Sequence, residues 1–303
     1  MTPDRSAEDR LGAQSCSVAA RLRSDPLAGS APPARGWLVF EHPGPWPQTA
    51  VEVFGDLGPE MARRCLAVGV RPMLVRRPGR AADPGSSQRS WWFIDSLART
   101  SLAGSWSGEQ DVPAVLDLVD VGRGDAIALM APAEPMVLVC THAKHDVCCA
   151  VRGRPIAAKL AERWPDLVWE CSHLGGDRFA GNVAMLPDST FYGRLAAAAA
   201  ERVVADHLAG QTTLDHYRGS GMHQPPAQVA VAELLRRAGS RRFADVGVLG
   251  VESIGDGWWE VVLGGRGDLP AHTVLTVQRR WRPAERLTCT SDHDAVAAEF
   301  TVR

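Results

Sequence analysis

Between Pro135 and Asn182 the chain concentrates four of its seven cysteines (Cys140, Cys148, Cys149, Cys171) and three of its nine histidines (His142, His145, His173). An apolar run precedes each group, PMVLVC before the first and DLVWEC before the second. Short apolar runs bounded by breakers read as buried strands. This arrangement constrains the fold, because metal binding asks for three or four thiolate, imidazole or carboxylate donors converging from two loops. The sheet must therefore bring both loops to one edge.

Composition removes several function classes. A formal net charge of -2 over 303 residues lacks the basic stripe of a nucleic-acid binder. No apolar run approaches the roughly 18 residues of a membrane helix, so neither nucleic acid nor membrane is expected as a partner. The opening MTPDRSAEDRLGAQSC has no apolar core of a secretory kind, and a cytoplasmic location is expected. In that compartment clustered thiols bind metal or do redox chemistry more often than they form structural bridges. Cys16, Cys65 and Cys289 lie far from the cluster in sequence and read as small buried or incidental thiols.

The order of elements predicts an α/β protein. Residues 1–35 read as a mobile leader. Gly36–Phe40 is a strand, Leu57–Val68 a helix stopped by Gly69, VRPMLVRR and Ser90–Ser96 are strands, and Asp111–Val119 is a short helix. From 131 the order repeats: MVLVCTH is a strand, a helix opens at Pro155 and runs to Trp164, DLVWECS is a strand, NVAMLP and FYGRL form a hairpin, and Leu195–Leu208 is a helix. The repetition predicts two related α/β units, 36–130 and 131–210. Residues 211–303 are expected to form a linker (211–226), the helix AQVAVAELLRRAG and an antiparallel meander, a small α+β appendage. The segments GRAADPGSSQR and GRGDAI, and the Arg-Gly-Asp triplets at 123–125 and 266–268, read as loops and turns.

Around the cluster, a helix N-terminus just after Cys149, with Arg152 and Arg154 beside it, supplies positive potential that favours thiolate. Gly175 and Gly176 allow a sharp turn that brings backbone amides near sulfur. A zinc ribbon or a thioredoxin dithiol would need C-x-x-C, which is absent. A vicinal Cys148–Cys149 disulfide would explain nothing of the second loop. His142 and His145 read as solvated loop residues, with outer donors to the site or a zinc site with Cys140 as the other readings. Glycoside hydrolysis needs two carboxylates facing one another across a sugar. Glu170 and Asp177 bracket the second loop and read as surface or capping groups.

The segments CTHAKHDVCCAVRGRP and WECSHLGGDRFAGNVAMLPDSTFYGRL resemble the sucrase/ferredoxin-like family, whose domain resembles the thioredoxin-like [2Fe-2S] ferredoxins. PLAGSAPPARGWLVFEHPGPWP and HYRGSG are similar to bacterial members. The resemblance implies a thioredoxin-like ferredoxin domain carrying a [2Fe-2S] cluster, preceded by a related α/β unit. It implies one-electron transfer or redox sensing with a redox partner protein rather than catalysis. The family pattern of Cys, eight residues, Cys, then His-x-Gly-Gly-His transfers to Cys140, Cys149 and His173, with Gly175 and Gly176 inside the loop. Asp177 stands where the second His would be. Either Asp177 ligates through oxygen or Cys171 takes the place; Cys171 is preferred as the softer donor, sharing a face with His173 if the strand persists, and Cys148 is in reserve. Three other readings stand beside this one: a metal-free thiol oxidoreductase using Cys148 and Cys149, a structural-zinc binding module, and a sucrose-cleaving hydrolase.

Overall fold

A computed structural model describes residues 11–12, 14–79, 88–121 and 130–303. Most of the GRAADPGSSQR and GRGDAI loops, and the triplet at 123–125, lie outside these residues. Ten strands form one mixed sheet: β1 (Gly36–Glu41), β2 (Val70–Arg76), β3 (Arg89–Asp95), β4 (Thr100–Trp106), β5 (Ala131–Pro132), β6 (Met136–Cys140), β7 (Val168–Cys171), β8 (Val183–Leu186), β9 (Thr190–Tyr192) and β10 (Tyr217–Ser220). Their spatial order is β10-β9-β8-β6-β7-β2-β1-β3-β4-β5. The helices are α1 (Cys16–Leu22), α2 (Leu57–Ala67), α3 (Val112–Val121), α4 (Val147–Arg163), α5 (Ala197–Leu208) and α6 (Pro225–Arg237).

Each half of the sheet has one topology. In the first, β1 pairs parallel with β2 across the crossover helix α2 and antiparallel with β3, and β4 follows. In the second, β6 pairs parallel with β7 across α4 and antiparallel with β8, and β9 follows. The halves meet where β2 and β7 pair antiparallel, Val75 opposite Cys171 and Arg76 opposite Glu170. This junction sets the second ligand-bearing loop against the first half of the chain.

Burial follows from position in the sheet. β6 and β8 are buried at every residue, as central strands covered on both faces must be, which is why their sequences MVLVC and VAML are continuously apolar. Period-two alternation sends Val137 and Val139 toward Ile156 and Leu160 of α4 and Val203 of α5. Leu138 and Cys140 face the opposite side, in a core that also holds Trp37, Val39 and Trp169. Leu38 and Phe40 pack instead with Met61 of α2 and Leu116 of α3.

The meander is realised as β11 (Val246–Gly255), β12 (Trp258–Gly265), β13 (Thr273–Trp281) and β14 (Ala298–Val302), joined antiparallel in chain order. Ala230, Leu234 and Leu235 of α6 pack on Val261, Leu263 and Val277 of this sheet. Three segments differ from the sequence expectation. The leader contains α1. The segment 211–226 contributes β10, which pairs with β9. The helix expected at Pro155 begins at Val147, because Asp146 caps it and Pro155 is carried inside the helix.

Candidate metal centre

The first ligand-bearing loop is short because strand and helix almost touch. β6 ends at Cys140, and Asp146 caps α4 by accepting the Cys148 N–H at 2.8 Å on Oδ1. Gly153 permits the approach: a Cβ there would lie 1.9 Å from the Cys140 carbonyl oxygen. Cys148 and Cys149 occupy the first turn of α4, where successive side chains diverge by about 100°. Their sulfurs therefore belong to different surroundings.

The second loop leaves β7 at Cys171. Ser172 ties it to β2, its N–H donating to Leu74 O at 2.8 Å and its hydroxyl accepting from Leu74 N at 3.0 Å. Arg71 Nη2 donates to His173 O at 3.0 Å. Gly175 and Gly176 both take positive φ, 89° and 77°, and so reverse the chain before Asp177. Inside the turn lies Arg218, 1% exposed, donating to Gly175 O at 2.8 Å, Asn182 Oδ1 at 2.9 Å and Ser30 O at 2.6 Å.

These two loops gather the Cys140 and Cys149 sulfurs and a ring nitrogen of His173 within 4.8 Å of one another. Asp177, 6% exposed, adjoins them: Cys149 Sγ donates to its Oδ1 at 3.3 Å, and His173 Nδ1 lies 3.0 Å from the same oxygen. That imidazole nitrogen is buried and makes no aligned hydrogen bond, so the contact is an ion pair. His145 stacks on His173 with ring centroids 3.6 Å apart and brings Nε2 to 3.6 Å from Asp177 Oδ2.

Protonation within the cluster is uneven. A hydrogen bond from Cys149 and the contact with His173 hold the Cys140 thiol well below its ordinary value against the opposing effect of burial. The Cys140 partnership and burial push Cys149 well above it. Burial disfavours the His173 imidazolium, yet Asp177 and Cys140 outweigh burial and push it up to about 9. Burial would raise Asp177, but His145 and His173 hold it well below the carboxylate range. Without metal the site thus favours one thiolate, one thiol, one imidazolium and one carboxylate, which leaves it with one negative charge in excess.

Cys171 is buried beside Cys140 in the strand register but joins none of the sets of three or more metal-ligating atoms within 4.8 Å among the described residues. Burial, then the Cys140 charge, push its thiol up, and the Arg71 guanidinium opposes them. Cys148 faces away from Cys149 toward Cys16 and Cys289, whose sulfurs lie 3.7 and 3.5 Å from its own. The two distant thiols read as incidental are therefore neighbours, brought in by α1 and by the C-terminal segment. Cys65, on the buried face of α2, packs in the core with Met61. A Cys148–Cys149 dithiol is not what this geometry presents.

The remaining residues divide by partner. His142 is buried and its Nε2 lies 2.7 Å from Pro47 O, so of the two loop histidines only His145 reaches the site. Arg152 donates to Ser17 Oγ at 3.0 Å, and Arg154 is exposed. Glu170 is tied to Arg76 at 2.8 Å and to the Thr141 hydroxyl at 3.2 Å. Sequence reasoning missed Asp146, Gly153, Arg71 and Arg218. The HYRGSG segment was a signal for Arg218, read as linker because a buried arginine has no periodicity to betray it.

A profile of the sucrase/ferredoxin-like family matches residues 27–219, a span containing both loops, Arg71 and Arg218. No curated protein and no solved structure matches the chain.

Proposed function

This chain belongs to the sucrase/ferredoxin-like family, and we propose that it holds a [2Fe-2S] cluster and serves in one-electron transfer or redox sensing, with a redox partner protein. The observation that carries the reading is the convergence of Cys140, Cys149 and His173, two buried thiols and an imidazole, from two loops of one sheet end. The donor set suits the group: thiolate and imidazole are its common ligands, and His173 Nδ1 is buried without an aligned hydrogen bond. Asp177 is the fourth donor in this reading, since its carboxylate already touches Cys149 and His173, whereas Cys171 stands apart from the set. When bound, the cluster supplies a centre that takes up and returns one electron.

The protein's own groups set the conditions. Arg218 and Arg71 place guanidinium charge behind the second loop, which favours the more negative state of anything bound there. Replacing one thiolate by imidazole, and another by carboxylate, leaves less sulfur charge than an all-cysteine site. His145 and His173 keep 31% and 23% of their side chains exposed, against 7% for Asp177, so they form the edge that a cytoplasmic redox partner would meet. Glycoside hydrolysis asks for two facing carboxylates, and the cavity of about 220 Å³ beside Asp188 has one in its lining, held by Arg99 and His207.

The test is iron and acid-labile sulfide analysis with electron paramagnetic resonance of the dithionite-reduced protein. About two irons and two sulfides per chain and a reduced-state signal are expected. Cys140→Ser and Cys149→Ser should each abolish the signal, Asp177→Ala should weaken or abolish it, and Cys171→Ser should keep it. A protein free of iron after anaerobic reconstitution overturns the reading; loss only in Cys171→Ser overturns the ligand choice.

A further inference from the structure

A second set of ligands lies behind the first. Cys16 at the start of α1, Cys148 in the first turn of α4, Cys289 in the C-terminal segment and the Asp146 carboxylate put one donor atom each within 4.8 Å of one another. We propose that Cys16, Cys148, Cys289 and Asp146 bind one Zn²⁺ in a tetrahedral structural site that fastens α1 and the segment around Cys289 to α4. This inference does not depend on the iron-sulfur reading.

Geometry carries it. A zinc–sulfur distance of about 2.3 Å in a tetrahedron puts two sulfurs about 3.8 Å apart, and a zinc–oxygen distance of about 2.0 Å puts an oxygen about 3.5 Å from each sulfur. The Cys16–Cys148 and Cys148–Cys289 sulfur separations are 3.7 and 3.5 Å, and Cys16 Sγ lies 3.5 Å from Asp146 Oδ2. Three edges of the tetrahedron are thus already close to their zinc-bound lengths, and the others lie within 4.8 Å. Sulfur pairs at these separations are far from the roughly 2.05 Å of a disulfide, and three thiols cannot all be satisfied by one.

The surroundings fit an anionic centre. The Cys16 N–H donates to Cys289 Sγ at 3.3 Å, the kind of bond that spreads thiolate charge into the backbone. Asp146 is already oriented: Oδ1 takes the Cys148 N–H, while Oδ2 takes the Cys289 N–H at 2.6 Å and the Thr288 hydroxyl at 2.9 Å. Arg152, one turn beyond Cys148, is 9% exposed and leaves Nη2 without a hydrogen-bond partner, a buried cation in want of negative charge. On binding, each ligating thiol releases its proton to solvent, and no electron changes hands. Hard, oxygen-seeking cations are excluded by three sulfurs, and a closed four-ligand set leaves no open position for catalysis.

The experiment counts zinc and iron in the same sample of the full-length protein, purified without chelator, for the wild type, Cys16→Ser, Cys289→Ser and Cys140→Ser. About one zinc per chain is expected in the wild type and in Cys140→Ser, with a loss of at least about tenfold in the other two. Iron should be unchanged in Cys16→Ser and Cys289→Ser. Cobalt substitution of the wild type gives a readout that needs no variant: thiolate-to-cobalt charge transfer with intense tetrahedral ligand-field bands is expected, and octahedral bands overturn the proposal. So do wild type that takes up no zinc, zinc retained in Cys16→Ser and Cys289→Ser, zinc lost in Cys140→Ser alone, or a mass two hydrogens low that reveals a disulfide among the three thiols. Absent iron with zinc that responds to Cys16 would sink the electron-transfer reading and leave this one standing.

Discussion

A Cβ at Gly176 would lie 2.4 Å from Nη2 of Arg218, so the turn that delivers Asp177 and the buried guanidinium occupy one another's space. The two residues are far apart in sequence, yet neither position tolerates its ordinary substitutes. Gly176→Ala meets both this contact and a φ of 77°. It should therefore lower metal loading as well as stability. Arg218→Met leaves Gly175 O, Ser30 O and Asn182 Oδ1 without their donor. Each buried acceptor so orphaned costs about 1–3 kcal/mol, and a loss of more than about 2 kcal/mol in urea unfolding is expected, with Arg218→Lys only partly restoring it.

Gly153 bears on the same centre from the other side. Its absent side chain lets α4 rest on the Cys140 carbonyl, and Ala would place Cβ 1.9 Å from that oxygen. Backbone cannot rotate aside as a side chain can, so α4 must shift outward and carry Cys149 away from Cys140. Although alanine is the better helix former by about 1 kcal/mol, Gly153→Ala should be destabilised and should lose the two-thiol arrangement. Metal-to-protein ratio after reconstitution checks this. Full loading in Gly153→Ala would mean that the approach is not needed.

The legible parts of this chain were those with a local signature. Continuous apolar runs gave β1, β6 and β7, and the period-two pattern gave the meander. The order strand, loop, helix, strand, loop foretold that the two donor-bearing loops would meet at one sheet edge, and the resemblance to the family singled out Cys140, Cys149 and His173 among their donors. What was hidden depends on distant pairings. The helix was read from Pro155 because proline is a start signal, while the weaker cue of Asp146 as a cap was passed over. β10 is four residues of YRGS, whose strand character comes only from pairing with β9. Cys16 and Cys289 looked incidental because nothing in a linear sequence says that α1 and the C-terminal segment converge on Cys148. Cys171 and His173 were expected to share a strand face, but β7 stops at Cys171 and the chain turns away.

The metal-free protein should show a pH dependence traceable to His173 and Asp177. His173 is pushed up from 6.5 to about 9, so its contribution is fully present below about 6.5 and is lost as pH rises through about 9. Asp177 is held below its usual 3.8, so its contribution is present above that value and is lost as pH falls further. Between these limits the ion pair is intact. Melting temperature of the metal-free wild type should fall from pH 6.5 to pH 9 relative to Asp177→Asn, in which His173 has lost one of its two anionic partners and keeps only Cys140. Parallel curves for the two proteins would contradict the assignment. Metal loading should run the other way, strengthening with pH, because Cys149 must lose a proton and His173 must become neutral before either can ligate.

Asp25 ties the site to both ends of the described chain. It is 2% exposed, and its carboxylate lies 3.2 Å from Arg23, 3.3 Å from Arg178 and 3.2 Å from Arg282. Arg178 follows Asp177 directly, and Arg282 follows β13, so one buried carboxylate holds the metal loop, α1 and the C-terminal sheet together. Three cations converging on one anion repel each other strongly once it is removed. Breaking a buried pair from one side costs about 3–5 kcal/mol, but the three arginines keep 14% to 24% of their side chains exposed and can recruit water. Asp25→Ala should therefore fall near the lower end, about 3 kcal/mol in urea unfolding, and Asp25→Asn should cost less because it retains an acceptor oxygen. Salt should narrow the gap between Asp25→Ala and wild type, since added anions screen the guanidinium repulsion. A loss below about 1 kcal/mol, or one insensitive to salt, would show that the three arginines are held by their other contacts and that Asp25 is not the link between the loop and the chain ends.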